Sequence, residues 1–296
     1  MFKQDAAIIH DALVRYWHLP QPVHLSDSLR GGVTADVWLV TDSCGERYVA
    51  KFIYDSRSAA EAGLRTAEQV EANSDLVAGA PLRTHDGELT VMLPSVPGER
   101  HPLALLRHVA GTPAVLGPEE RADLLVDVQA ALARTHVPTA HKVFDYLSDD
   151  SIDIAYADQI RPILHECVDQ VLTTEGLAWG TCYGDRPEAI RTERGIGIVD
   201  WGGVLHAPVL WDVAQWMRSL EREEDRQLFL SAYRAKTALP AGELTHLGKL
   251  TRLCSAHELR FRAFRVLRAD HYADSRKQDA EAVMSLARAF GIRLSN

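Results

Sequence analysis

The stretch from Tyr183 to Gly203, YGDRPEAIRTERGIGIVDWGG, constrains this chain more than any other, because it sets two carboxylates on either side of a short strand-turn-strand pattern. Asp185 sits in a Gly-Asp turn, from which a side chain projects instead of packing. Asp200 ends the apolar run Ile196, Ile198, Val199 and precedes Trp201-Gly202-Gly203. Both acids therefore emerge at the edge of a small buried sheet, on the arms of a β-hairpin. Carboxylates held in this way suit phosphoryl transfer: one orients and deprotonates an attacking hydroxyl, and the other holds the magnesium that bridges nucleotide phosphates. Taken singly, each motif is also what an ordinary turn or a strand-end cap looks like, so the order of the whole chain has to decide.

Composition narrows the field. The 296 residues, 46% of them hydrophobic, suffice for one large domain or two modest lobes with a packed core. A formal charge of -9 and a sequence pI of about 5.8 argue against nucleic acid as a partner and tolerate a cationic ligand. Cys44, Cys167, Cys182 and Cys254 form no CxxC pair, so reduced thiols are expected, with neither a disulfide framework nor a zinc site. The N-terminus lacks the pattern of a secretory signal, and no apolar run approaches bilayer length, which predicts a cytoplasmic protein without membrane contact.

The periodicity changes along the chain. Helical spacing over 5–17 gives way to a β-hairpin, with Arg30-Gly31-Gly32 before Val37 and Leu39, a turn at Asp42-Ser43-Cys44-Gly45, and a strand from Glu46 to Ile53. Helical spacing returns over 58–72, followed by a short strand pair made of 88–93 and the segment before it. Pro94-Ser95-Val96-Pro97-Gly98 removes backbone donors and fixes the chain extended. The boundary is therefore set there: an N-terminal nucleotide-binding lobe over 1–95, and a C-terminal catalytic and substrate-binding lobe over 96–296. Helices are expected over 119–136, 158–173, 210–220, 222–235 and 244–269. The fold class is α/β in the broad sense, with a β-rich lobe preceding a larger helical one.

Two features of the first lobe fit nucleotide chemistry. Gly31-Gly32 at the head of a hairpin lets backbone amides approach an anion. Lys51 lies in the alternating strand Tyr48-Val49-Ala50-Lys51-Phe52-Ile53 after that hairpin and resembles the strand lysine by which kinases hold nucleotide phosphates, although an edge-strand lysine that discourages aggregation has the same appearance.

Tyr183-Gly184-Asp185 and Val199-Asp200-Trp201 resemble the HGD…N…IDW block of the aminoglycoside phosphotransferase family, small-molecule kinases with a protein-kinase-like fold. The resemblance runs in chain order over roughly residues 25 to 235 and implies ATP or GTP and Mg2+ as cofactors. It makes Asp185 the catalytic base and Asp200 the magnesium ligand. Lys51 would pair with the phosphates, with Glu61 (or Glu68) as its helical carboxylate partner. Leu93 and Ser95, in Met92-Leu93-Pro94-Ser95, correspond to the hinge that reads adenine. Leu132-Ala133-Arg134-Thr135-His136 resembles a family helix end, and Pro208 to Ala214 a family helix start in which Asp212 steadies the catalytic loop by hydrogen bonding its backbone.

Two departures stand out. Tyr183 replaces the usual histidine, and the asparagine five positions after the catalytic acid is Ile190, or Ala189 if the hairpin is shortened. An apolar side chain offers a metal no lone pairs. Glu188 is close enough to substitute, or a single ion on Asp200 suffices; the alternative is a pseudokinase that only binds a nucleotide or ligand. The acceptor is expected to be a small molecule, first an antibiotic or related natural product of aminoglycoside type (hence a role in antibiotic resistance), and otherwise a sugar, choline or homoserine. Asp149, Asp150 and Asp153, with Asp145, Asp158 and the acidic run Glu221, Glu223, Glu224 and Asp225, are the residues that would attract a polycationic amine. The oligomeric state is open.

Overall fold

The computed structural model describes residues 5–26, 34–95, 98–136, 143–237, 239, 242–267 and 276–294. Helix α1 (Ala6–Tyr16) begins where the Asp5 carboxylate accepts the Ala7 N–H at 2.9 Å. Strands β1 (His24–Leu25), β2 (Ala35–Thr41) and β3 (Arg47–Ile53) follow, then helix α2 (Arg57–Asn73), capped by Ser56. Strands β4 (Pro81–Leu82), β5 (Val91–Pro94) and β6 (Arg100–Arg107) complete an antiparallel sheet in the order β1-β2-β3-β6-β4, with β5 alongside β6.

Alternation decides what each face of this sheet does. Ala50 and Phe52 point to one side, where they pack with Trp38, Val40 and the α1 residues Ile9 and Leu13. Lys51 points to the other, directly across from Val37 and Ala104, and on that side Leu64 of α2 packs on Ala104.

The stretch from Pro94 to Gly98 does not end this sheet. It joins β5 to β6, which pair Leu93 with His101 and Pro94 with Arg100, so the expected division after residue 95 falls inside one hairpin. The sheet ends at Arg107 instead. Strand β6 escaped the sequence reading for a physical reason: Leu103, Ala104 and Leu105 are all 0% exposed, and a strand buried on both faces loses its polar alternation.

From residue 108 the chain passes through β7 (Thr112–Pro113) into helices α3 (Pro118–Leu132), α4 (Val143–Ser148) and α5 (Ala157–Leu172). Strands β8 (Trp179–Cys182), β9 (Glu188–Thr192), β10 (Gly195–Val199) and β11 (Leu205–Pro208) come next. They form two small antiparallel units, β7-β9-β10 and β8-β11. Helices α6 (Leu210–Arg218), α7 (Glu223–Lys236), α8 (Leu247–Leu267) and α9 (Arg276–Ala289) close the lobe. Five of its helices lie where apolar spacing placed them; the short α4 and the C-terminal α9 were not anticipated. One large core joins α3, α5, α6, α8 and α9 to the inner faces of the small strands. Among the described residues no helix is long and apolar enough to cross a membrane.

Candidate active site

The Gly-Asp turn is held from several sides. Gly184 has φ +88°, and a Cβ there would stand 1.8 Å from the Gly203 carbonyl oxygen, so only glycine fits. The N–H groups of Tyr183 and Gly184 each donate to one oxygen of the Asp212 carboxylate, both at 2.9 Å. Asp212 stands in the first turn of α6 and is 1% exposed. Burial pushes its carboxyl up to about 7, against the pull of those two N–H bonds. The Trp211 indole N–H donates to the Gly184 carbonyl at 3.1 Å, and the Tyr183 hydroxyl donates to the Val199 carbonyl at 2.6 Å. Tyr183 thereby ties the turn to the strand leading into Asp200, which explains how a tyrosine serves in place of the histidine.

Asp185 projects from this turn with its side chain open to solvent. The Arg186 N–H donates to its Oδ1 at 2.7 Å. The surrounding protein still desolvates the carboxyl enough to raise it; the neighbouring Asp200 adds to the rise, and the Arg186 N–H and guanidinium oppose it.

The hairpin lies as the sequence indicated, with β9 paired to β10 and the two acids flanking its open end. Glu188 faces Val199, Ala189 faces Ile198 and Ile190 faces Gly197. Ala189 and Ile198 turn into the helical core. Glu188 turns the other way: burial raises its carboxyl first, Asp200 and Asp185 raise it further, and Lys51 lowers it. Ile190 shares that face and packs against Gly111, whose Cβ, if present, would lie 2.8 Å from the Ile190 side chain. Of the three positions considered for the missing asparagine, only Glu188 brings oxygen ligands among the acids.

Asp200 adopts a left-handed conformation, φ 62° and ψ 69°, and caps the 3-10 turn Trp201–Gly203. A non-glycine residue in that region is strained and persists where its surroundings enforce it. Here the enforcement is visible. Trp201 is 5% exposed, and its indole N–H donates to the Ala78 carbonyl at 3.0 Å. Gly63 of α2 lies so close to the turn that an added Cβ would stand 2.3 Å from the Trp201 carbonyl oxygen. Across the cleft, Lys51 Nζ meets Asp200 Oδ1 at 2.5 Å. Lys51, Asp185, Asp200 and Glu188 thus form one neighbourhood. Among the described residues, no three His, Cys, Asp or Glu side chains make a ready metal site.

Other expected residues lie elsewhere. Glu61 does not partner Lys51: it is bonded by Arg57 at 2.7 Å, Arg65 at 3.1 Å and the Thr90 hydroxyl at 3.0 Å, while Glu68 pairs with Arg83. Burial would raise the Glu61 carboxyl, but these bonds outweigh it and hold it low. Leu93 sits in the cluster beneath α1, on the face of the sheet opposite Lys51, and the Ser95 N–H is spent on the Glu99 carbonyl. Gly31 and Gly32 lie outside the described residues. The Asp149 carboxylate accepts the N–H and hydroxyl of Ser151, Asp150 pairs with Arg161 and His165, and Asp153 is exposed. Glu223 pairs with Arg226. None of these acids is bonded into the Asp185 neighbourhood.

The sequence reading also passed over Gly63, Arg186 and Glu258. A lone glycine inside a strongly periodic helix was the available signal for the first. Arg186 and Glu258, 72 residues apart, carried none.

With this geometry in hand, the chain is similar to several solved small-molecule kinases. A microcompartment-associated aminopropanol kinase shares 14% identity at a TM-score of 0.72, covering 98% of this chain and 100% of that one. Amicoumacin kinase, solved with AMP-PNP and Ca2+, shares 13% at 0.70, covering 95% and 93%. Choline kinase from Streptococcus pneumoniae shares 14% at 0.61, covering 94% and 98%. No protein-family model and no curated protein sequence matches. At such identities the likeness establishes the fold, a two-lobed kinase-like architecture with a β-rich first lobe and a helical second.

Proposed function

We propose that this chain is a small-molecule phosphotransferase that moves the γ-phosphoryl group of ATP or GTP onto a hydroxyl. The observation that carries the reading is the Asp185 turn, locked by Asp212 and tied through Tyr183 to the strand that presents Asp200 opposite Lys51. Asp185 is the base: it accepts the acceptor's hydroxyl proton as that oxygen bonds to phosphorus and the nucleoside diphosphate leaves. Its raised basicity suits that role. Lys51 swings from Asp200 to the nucleotide phosphates when they enter. Asp200 and Glu188 are the residues to hold magnesium, which when bound neutralises the phosphate charge. The Gly202 N–H and Lys51 both donate to Asp200 Oδ1 and orient its carboxylate toward the cleft.

The similar structures act on amine-bearing alcohols and antibiotics, so an antibiotic or related natural product remains the leading acceptor class. Attraction of a polycation by Asp149 and Asp150 is not supported by their engagement with Ser151, Arg161 and His165. The test is nucleotide consumption against a panel of hydroxylated antibiotics and metabolites, with Asp185→Ala as comparator. Loss of general-base catalysis should lower kcat by about 10²- to 10⁴-fold with nucleotide affinity nearly intact. Unchanged turnover in that variant would remove Asp185 from the mechanism.

A further inference from the structure

Glu258 of α8 gathers arginines from the catalytic turn, from α6 and from α8 itself, a surrounding opposite in sign to the acidic loop expected to receive the acceptor. Glu258, one-fifth exposed, meets Arg218 at 2.8 Å and both Arg186 and Arg262 at 3.4 Å. Arg262 also meets Asp279 at 2.7 Å, and Asp279, 0% exposed, holds Arg265 at 3.1 Å. Three guanidiniums therefore surround the Glu258 carboxylate. Burial alone would raise the Glu258 carboxyl, but Arg218, Arg186 and Arg262 outweigh it and keep it below the usual range. An acid so surrounded is already satisfied and makes a poor site for an incoming amine.

Arg186 is the member of this group placed to meet a ligand. It directly follows Asp185, and its N–H fixes the Asp185 carboxylate, so the two side chains leave the turn in a set relation. Its guanidinium is 53% exposed. It reaches Glu258 through Nη2 alone, at 3.4 and 3.5 Å, the outer limit of a hydrogen bond. Its Nε and Nη1 have no partner among the described residues, and a guanidinium carries five donors in a planar fork suited to an oxyanion.

Resting on the phosphotransfer reading of the cleft, we propose that the acceptor carries an anionic group, a carboxylate or a phosphate. Arg186 grips that group while Asp185 takes the proton of the neighbouring hydroxyl. Arg186 is then a specificity-determining residue, and the excess positive charge around Glu258 compensates the incoming anion. Chemistry at the hydroxyl is unchanged: its oxygen bonds to the γ-phosphorus, the bond to the β-phosphate oxygen breaks, and the products are a phosphate ester and a nucleoside diphosphate.

The experiment is steady-state phosphorylation by the full chain, with ATP, of small hydroxy carboxylates and hydroxyalkyl phosphates, each beside its primary amide or amine counterpart. Wild type should prefer the anionic member of a pair; whether carboxylates or phosphates lead identifies the group. Arg186→Gln should lower kcat/KM for that member roughly 10- to 100-fold more than for its neutral counterpart, the loss of one charge-assisted contact, with nucleotide KM nearly constant. Arg186→Lys should recover part of the preference. A wild-type preference for amides or amines overturns the proposal, as does an Arg186→Gln effect confined to nucleotide KM. Turnover of other hydroxyl compounds but no anionic one overturns it while leaving phosphotransfer standing. If no hydroxyl compound is phosphorylated and Lys51→Ala binds nucleotide like wild type, the phosphotransfer reading itself falls.

Discussion

Lys51 Nζ lies 2.5 Å from Asp200 Oδ1, a contact that spans 149 residues of sequence and links the β-rich lobe to the strained turn after β10. Both partners are groups a kinase cleft gives to its nucleotide, one for the phosphates and one for the metal. Paired with each other, they neutralise two charges that would otherwise face one another across open space. The Asp200 side chain is 40% exposed, so the pair contributes within about 1 kcal/mol to folding.

Separate removal of the partners should therefore affect binding far more than stability. Lys51→Ala and Asp200→Asn are each expected to weaken magnesium-nucleotide binding at least tenfold, the range for one lost charge-assisted contact, with melting temperature nearly constant. Calorimetric titration measures the first and thermal unfolding the second. Wild-type nucleotide affinity in both variants would move the nucleotide site away from this cleft.

The position of the missing asparagine makes a sharper case. Glu188 stands among the acids, whereas Ile190 packs on Gly111 and Ala189 is 7% exposed in the core. Glu188→Gln should raise the magnesium concentration needed for half-maximal activity. Ile190→Asn should not restore a second metal site, because its side chain packs on Gly111 instead of standing among the acids. A metal titration in which Ile190→Asn gains affinity and Glu188→Gln changes nothing would reverse the assignment.

What the sequence disclosed followed from local pattern. The hairpin was readable because Ile196, Ile198 and Val199 lie between Gly-rich turns, whereas Asp212 was placed only by resemblance, since its carboxylate bonds the Tyr183 and Gly184 N–H groups rather than the start of its own helix. Strand β6 was hidden because burial on both faces erases period-two alternation, and so the boundary drawn after residue 95 falls between two paired strands. Glu61 was selected as the acid on the helix after Lys51, yet Arg57 and Arg65, one turn away on either side, claim it first. Long-range pairs such as Arg186 with Glu258 leave no trace in spacing, so the acceptor side could only be guessed from bulk charge.

Asp212 predicts a pH dependence of stability. Its folded carboxyl titrates at about 7, above the roughly 3.9 of an unfolded chain. The folded state then binds the proton more tightly. The corresponding stabilisation is complete below about pH 4 and is lost as pH rises to about 7. Asp212→Asn cannot titrate and should lack this slope. Its single carbonyl oxygen also leaves one of the Tyr183 and Gly184 N–H groups unpaired, at a cost of about 1–3 kcal/mol. Urea unfolding at pH 5 and pH 8 should show wild type losing part of its advantage over the variant at the higher pH; parallel stabilities would place the Asp212 titration elsewhere.

Gly63→Ala separates helix propensity from tertiary fit. In an exposed helix interior, alanine stabilises by about 1 kcal/mol relative to glycine. Here the new Cβ would stand 2.3 Å from the Trp201 carbonyl oxygen, so either α2 or the 3-10 turn must move. Displacement of the turn would carry Asp200 with it, since Asp200 caps that turn and Trp201 is anchored through its indole N–H to Ala78. The substitution should therefore cost about 1–3 kcal/mol, as overpacking does, and should weaken nucleotide-dependent magnesium binding although Gly63 touches neither. A melting temperature above that of wild type, with metal affinity intact, would show that α2 yields freely and does not position the acid.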